Sequence, residues 1–297
     1  MAPPPTVLYD APGPRARRRA RVLSAVSLLV FAVLLLLVVL RLRETGQFAV
    51  ERWAPLFWPA DDSFPAVWRR LLEGLGTTLL AAALAITFSL VLGTLVTVVR
   101  LLLGRTARLP LVILVEVLRG APVVLLIFFA WRVLPQAGID LPLLWYLVIG
   151  LTAYNVVVIG EILRAGIAAL PRGQREAGLA IGLSRRQTLL LIQLPQGFRI
   201  MLPALISQLV VIVKDTSLAA IVLTGPQELL RTGGQIAEFL RNPLQTYLLI
   251  ALIFIVVNSL LGRLAVVVER RLSASTGRGT RPARPVAEGA VPAAGMP

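Results

Sequence analysis

The 297 residues contain no cysteine and no histidine. Disulfides, thiol nucleophiles, histidine-based triads and His/Cys metal sites are therefore excluded within the chain. Lysine is almost as scarce. Lys214 is the only one, and no Gly-x-x-x-x-Gly-Lys string leads into it, so the chain has no P-loop with which to hold ATP. Charged residues make up 15% against a hydrophobic share of 57%, and mean hydropathy is +0.82. A soluble domain of that composition would expose large apolar patches. The net charge is +15, but the arginines stand at the ends of apolar runs. That is the positive-inside distribution of a polytopic membrane protein, not the footprint of a nucleic-acid binder.

These patterns predict an all-α membrane protein of about six transmembrane helices. Residues 1–21 are Pro- and Arg-rich, with Arg15, Arg17, Arg18, Arg19 and Arg21, and are expected to form a disordered cytoplasmic tail. An apolar run at 22–40 follows, bounded by Arg41 and Arg43. It is too long for a signal peptide, and Arg41-Leu42-Arg43-Glu44 is no small-residue cleavage site, so 22–41 is expected to be an uncleaved N-terminal transmembrane helix. Residues 42–73, with Trp53, Trp58 and Trp68, suit an extracytoplasmic segment at the membrane interface. Five more spans are expected at 74–99, 109–134, 142–167, 202–223 and 247–268, each near the roughly 20 residues that cross the hydrocarbon core. Residues 273–297 are expected to be a second disordered cytoplasmic tail. With six alternating crossings, Arg100, Arg105, Arg108, Arg172, Arg175, Arg185, Arg186, Arg199, Arg270 and Arg271 share one side with the N-terminal arginines. Glu44, Glu51, Asp61, Asp62, Asp140, Glu228 and Glu238 fall on the other. Both termini and the segment 170–200 are therefore expected in the cytoplasm.

That segment is a polar, arginine-flanked island between apolar spans. Pro171 and Gly173 are expected to break the fourth span, and residues 174–181 to form a short helix. Gly182 suits a left-handed cap that ends it. Ser184 with Gln187 forms a capping-box pattern that starts a second short helix, expected to run until Pro195 interrupts it. In this reading Ala177 and Gly178 let a partner's backbone approach closely, and Glu176 offers it a carboxylate. Two such helices at an angle make a knob that can enter a groove. The plainer alternative is an ordinary cytoplasmic loop with helix propensity.

Glu176-Ala177-Gly178-Leu179-Ala180-Ile181-Gly182, followed by Ile192-Gln193-Leu194-Pro195, resembles the EAA loop of ABC-importer permeases, with Gly178 where that family usually has Ala. Gly74-Leu75-Gly76-Thr77-Thr78-Leu79, Arg119-Gly120-Ala121-Pro122, Ala153-Tyr154, Glu161-Ile162-Leu163-Arg164-Ala165-Gly166-Ile167 and Lys214-Asp215-Thr216-Ser217-Leu218 resemble the polar amino-acid branch (histidine, glutamine or glutamate type), although residues 156–160 make one gap differ from its commonest form. The resemblance implies a five-helix type I ABC-importer permease core at 74–272, with a coupling loop at 170–200, plus the extra N-terminal helix. It implies coupling to an ATPase through Glu176, Ala177, Gly178, Gly182, Leu194 and Pro195. ATP and Mg would be held by that partner ATPase, with no cofactor in this chain. The other implied partners are a second permease, the same or a sister, an extracytoplasmic amino-acid-binding protein and the lipid membrane. Such a chain is a translocation subunit and not an enzyme. Thr6-Val7-Leu8-Tyr9-Asp10-Ala11-Pro12-Gly13-Pro14, the extra helix and Trp53-Ala54-Pro55 are similar to the second permease of actinobacterial glutamate-uptake systems, which implies glutamate as cargo.

Ionisable groups inside spans are costly and usually face a partner or a cavity. Glu116 and Arg119 are three residues apart, as are Glu161 and Arg164, so each pair either neutralises itself along one helix face or meets cargo. Lys214, Asp215, Thr216 and Ser217 form a mid-span cluster, with Gln208 earlier on the same helix and Asn155 a further candidate. This cluster suits either a zwitterionic cargo or a buried network between helices. The expected substrate pathway thus comprises Lys214, Asp215, Thr216, Ser217, Arg119, Asn155, Glu161 and Arg164. No catalytic or metal-ligating set is expected. Two other classes compete. A gradient-driven secondary amino-acid transporter would normally show matching repeats of broken helices, and no matching halves occur. An intramembrane enzyme would need a Ser/Lys or Asp-pair constellation, and none stands out.

Overall fold

The computed structural model describes residues 13–223 and 227–274; of the expected tails 1–21 and 273–297, residues 1–12 and 275–297 lie outside the described residues, and 273–274 are still helical. All regular structure among the described residues is helical. Helix α1 spans Pro14–Glu44, so Arg15 to Arg21 belong to the helix and not to an unstructured tail. Proline in the first turn is already shaped for a helix, and the arginines that follow are good helix formers. None of α1 is buried. It ends where the Thr45 hydroxyl donates to the Arg41 carbonyl at 2.9 Å and Gly46 turns the chain at a φ of 69°.

One compact unit comprises residues up to 71 together with 233–249. The expected extracytoplasmic segment is more ordered than its polarity suggested. It holds α2 (Val50–Phe57) and the opening of α3 (Phe64–Leu102). Irregular backbone near a membrane needs hydrogen-bond partners, and buried amides supply them here. Gln245 Nε2 donates to the Gln47 carbonyl at 2.6 Å, and Asn242 Nδ2 donates to the Arg52 carbonyl at 2.9 Å. The Trp53 indole N–H shares the Gln47 carbonyl, and the Trp68 indole donates to Leu56, both at 2.9 Å. Asn242, Gln245 and Thr246 are fully buried around the start of α12 (Pro243–Ala274).

The second unit comprises 72–232 and the residues from 250 onward. The third expected span is not one helix. It is split into α4 (Leu109–Gly120) and α5 (Val123–Gln136), bent by 107°. The cause is local. A residue before proline is pushed out of the helical region, and Ala121, before Pro122, is extended at φ −84°, ψ 132°. Helix α6 (Leu143–Ala168) is the centre of this unit and packs against α5 and against α9 (Leu194–Asp215). Ile127, Leu147, Leu151, Ile159, Leu163, Leu205 and Ile212 are buried in that core. Helices α6 and α9 approach closely at a glycine pair. A Cβ on Gly166 would lie 2.7 Å from the Gly197 carbonyl oxygen, so only a small residue permits this crossing.

Between α6 and α9 lie α7 (Arg172–Ala180), the single turn α8 (Arg185–Gln187) and a π-helical segment, Thr188–Gln193. Gly173 lies inside α7, so Pro171 alone marks the break after α6. Pro195 was expected to interrupt the second helix, but helix continues from Arg185 to Val222. In a straight α-helix the ring of Pro195 would clash with the carbonyl four residues earlier. The π segment widens the preceding turn, the Leu194 N–H reaches back five residues to Leu189, and Pro195 sits harmlessly in the first turn of α9. A 3₁₀ turn (Thr216–Leu218) and α10 (Ala219–Val222) extend α9.

Helix α11 (Leu229–Leu240) was not expected from the sequence. Its start is held by Glu228, whose carboxylate accepts the Leu230 N–H at 2.8 Å and the Arg231 N–H at 2.7 Å. The Leu229 N–H donates to the Thr78 hydroxyl of α3 at 3.0 Å. Arg231 in turn donates to the Leu223 carbonyl at 2.6 Å. Glu228 is fully buried, and burial pushes its carboxyl up to about 7 despite the hydrogen bonds and Arg231, which pull it down. The folded state therefore holds this proton to a higher pH than the unfolded chain does. Its stabilising contribution is complete below the ordinary carboxylate value and is lost as pH rises towards 7. Thermal unfolding of the detergent-solubilised protein should show a lower midpoint at pH 8 than at pH 5, and Glu228→Gln should flatten that dependence. An unchanged pH profile in the variant would show that another group is responsible.

Candidate functional site

Two sites emerge. The first is the hairpin α7–α8. Helix α7 ends in a Schellman arrangement: the Leu183 N–H donates to the Gly178 carbonyl, the Gly182 N–H donates to the Leu179 carbonyl, both at 3.1 Å, and Gly182 has a φ of 88°. Helix α8 opens with a complete capping box. The Gln187 N–H donates to the Ser184 hydroxyl at 3.2 Å, and the Ser184 N–H donates to the Gln187 side chain at 2.9 Å. Gly178 faces inward, contrary to the role assigned to it from sequence. A Cβ there would lie 2.8 Å from Thr188 Cγ2 and 3.0 Å from Ile192 Cδ1, so its smallness serves the closure of the hairpin. Glu176, Ala177 and Ala180 are exposed, and Ile181 is 76% exposed. The result is a rigid knob that presents a carboxylate, small residues and one isoleucine. Leu194 and Pro195 lie at its far end, on the entry into α9.

A cavity of 610 Å³ lies behind the knob, lined among others by Leu101 at the end of α3, by Gly104 after it, and by Arg172, Arg175, Glu176 and Arg185. The hairpin thus sits at the same end of the unit as the C-terminal ends of α3 and α6. Nearby, Glu161 on α6 is clamped between two cations. Arg164, one turn on, reaches it at 2.7 Å, and Arg100 of α3 pairs with its other oxygen. Thr97 Oγ1 bridges the same helices, donating to the Gly93 carbonyl at 2.8 Å and to the Gly160 carbonyl at 2.9 Å. Glu161 and Arg164 thus tie α6 to α3 and to each other.

The second site is a cavity of 500 Å³ at the α4–α5 break, lined by Arg119, Gly120, Ala121, Pro122, Val123, Tyr154, Val158, Gln208, Val211 and Asp215. The break ends α4 at Gly120, beside Arg119. The spacing 208, 211, 215 aligns one face of α9 with the opening. Arg119 keeps a loose, half-exposed pair with Glu116 at 3.4 Å. The structure brings Arg119 and Asp215 together from the expected substrate residues. It adds Tyr154, and it brings in Gln208, which the sequence set beside the mid-span cluster. The seven-residue spacing between Gln208 and Asp215 is the signal that sets both on one face; Tyr154 stood out only as a landmark of the family resemblance.

The other candidates stand elsewhere. Lys214 is exposed, does not line this cavity, and makes no salt bridge to Asp215 among the described residues. The Thr216 hydroxyl donates to the Val213 carbonyl and that of Ser217 to the Lys214 carbonyl, both at 2.7 Å, so both serve the turn that ends α9. Asn155 is fully buried behind the cavity and reaches it only through Gln208.

The protein-family model for the binding-protein-dependent transport system inner membrane component matches residues 89–274. The chain is 39% identical over 241 residues to the glutamate transport system permease protein GluD of Corynebacterium glutamicum, covering 80% of this chain and 85% of that one. It is 32% identical over 222 residues to the glutamine transport system permease protein GlnP of Escherichia coli, covering 74% and 97%. Among solved structures, an amino acid ABC transporter crystallised with histidines superposes with a TM-score of 0.64 at 26% identity, over 70% of this chain and 97% of that one. The fold is that of a type I ABC-importer permease core with an added N-terminal helix. The family match spans more than half of the chain and includes both the knob and the cavity at the broken span. The chain therefore belongs to the binding-protein-dependent transport system inner membrane components, the multi-pass membrane permeases through which ABC importers pass their cargo.

Proposed function

We propose that this permease translocates a polar amino acid, with glutamate as the favoured cargo, through the cavity at the α4–α5 break. The observation that carries the proposal is the lining of that cavity, which sets one cation, Arg119, and one anion, Asp215, around a space open to both. A zwitterion offers the complementary pair, its carboxylate to Arg119 and its ammonium to Asp215. The loose Glu116 pair leaves Arg119 able to exchange one carboxylate for another. The relatives named for glutamate and glutamine transport support the same cargo class. A second carboxylate finds no further cation in the lining, so discrimination of glutamate from glutamine falls largely to the extracytoplasmic binding protein.

The knob α7–α8 docks in a groove of the partner ATPase. ATP binding closes the ATPases, the knob carries the motion along the continuous helix from Arg185 to Val222, and the cavity is exposed alternately to the two sides. A second permease, a copy or a sister, completes the pathway. The arginine-rich end faces the cytoplasm, as do both termini, by the positive-inside rule. A gradient-driven transporter would have no use for such a knob.

Three measurements test these assignments. Gly178→Leu, which drives a side chain into Thr188 and Ile192, and Glu176→Lys should each abolish uptake and weaken co-purification of the ATPase, with membrane insertion intact. Normal uptake by both variants would remove the knob from coupling. ATPase activity of the complex reconstituted with its binding protein should be stimulated by glutamate and lowered about tenfold or more by Arg119→Gln. Stimulation by arginine alone would overturn glutamate as cargo. A reporter active only in the cytoplasm should work when fused at Ala180 and at Val286 and stay silent at Asp62; activity at Asp62 would mean that α1 does not cross.

A further inference from the structure

We infer that Asn155 is a positioning residue. It fixes the side-chain amide of Gln208 with its carbonyl oxygen left to the cavity, so that this wall selects the ammonium group of the cargo. The inference rests on the cavity being the cargo pathway, and it follows from a chain of hydrogen bonds whose direction is set at one end. Asn155 is fully buried, and its side chain lies 2.8 Å from the Leu151 carbonyl oxygen one turn earlier on α6. A carbonyl oxygen only accepts, so the Asn155 amide must present Nδ2 to it. The other end of the amide, Oδ1, is then an acceptor facing α9, where Gln208 lies at 2.8 Å. Gln208 must answer with its donor, Nε2. Its Oε1 is left without a hydrogen-bond partner among the described residues, on a side chain that lines the cavity.

The consequence is a wall of one polarity. Gln208 and Asp215 are seven residues apart on α9, two turns along a single stripe with Val211 between them. With the Gln208 amide fixed in this sense, Gln208 Oε1 and the Asp215 carboxylate are the acceptors of the stripe, and one of the two Nε2 protons is spent on Asn155. The Arg119 side of the cavity supplies the donors. Were Gln208 free to flip, its amino group would serve a carboxylate equally well and the stripe would lose its sense. Asn155 therefore acts on cargo through Gln208 and does not touch it.

The test uses the permease–ATPase complex in detergent without nucleotide, with equilibrium binding of isotopically labelled glutamate competed by unlabelled glutamate or by glutarate, which lacks the ammonium group. In the wild type, glutarate should compete about tenfold or more less well than glutamate, the scale of one hydrogen bond to a charged group. Gln208→Leu and Asn155→Leu should each bring the two competitors close together, and the double variant should do no more than either single one, because the two residues act as a unit. Arg119→Gln should weaken both competitors alike and keep the preference for glutamate. Retained preference in Gln208→Leu overturns the inference, and that variant decides the matter even if Asn155→Leu fails to fold. Lost preference in Gln208→Leu with full preference in a folded Asn155→Leu protein also overturns it, because Gln208 would then need no holder. Absence of saturable glutamate binding to the wild type, or binding unaffected by Arg119→Gln, would instead remove the cavity itself from the pathway.

Discussion

A backbone polar group left unpaired in hydrocarbon costs several kcal/mol, so only helices and closed barrels can face lipid, and the described residues use helix. The break between α4 and α5 has to be understood under that constraint. Pro122 contributes no N–H, and Ala121 before it is extended, so the carbonyls that end α4 lose their helical partners. Such a break is tolerable where it borders a polar cavity and not lipid. Arg119, Tyr154, Gln208 and Asp215 line that opening. One proline thus accounts for both the 107° bend and the polar cavity beside it.

The same constraint shapes the helix that follows the knob. The segment Arg185–Val222 is continuous helix although Pro195 lies within it. The π turn that accommodates Pro195 lets helix run on from the knob to the α9 stripe facing the cavity, although Pro195 and Pro203 each lack an N–H. At the knob, the Schellman end, the capping box and the contact of Gly178 with Thr188 and Ile192 leave little freedom at the elbow. In the proposed coupling, a displacement of the knob would pass into α9 and not be absorbed at the turn.

Charge is divided between two tasks. Glu161 is matched by Arg164 and Arg100, which ties α6 to α3 near the arginine-rich end. Asp215 and Arg119 have no such close internal match: Asp215 makes no salt bridge among the described residues, and Arg119 has only the longer, exposed contact with Glu116. Charges already tightly paired have little to offer a passing zwitterion, whereas a charge facing a cavity with a weak partner or none is available to it.

Some of this was legible in the sequence because it is local. Hydropathy located the long apolar helices. Gly182, Ser184 and Gln187 announced the caps of the knob, since capping depends on neighbours two to five residues away. What the sequence could not decide depended on residues far apart in the chain. Arg100 joins Glu161 across sixty-one positions and Gln208 joins Asn155 across fifty-three, so Glu161 and Arg164 look like pathway residues until α3 is seen beside α6. Gly178 looks like an outer surface until α7 folds back on Thr188. Lys214 and Asp215 are neighbours in sequence, but successive residues on a helix point about 100° apart, and only the packing of α9 decided that Asp215 faces the cavity while Lys214 does not. Local chemistry determined which elements form; which side chains meet was decided by how the helices pack.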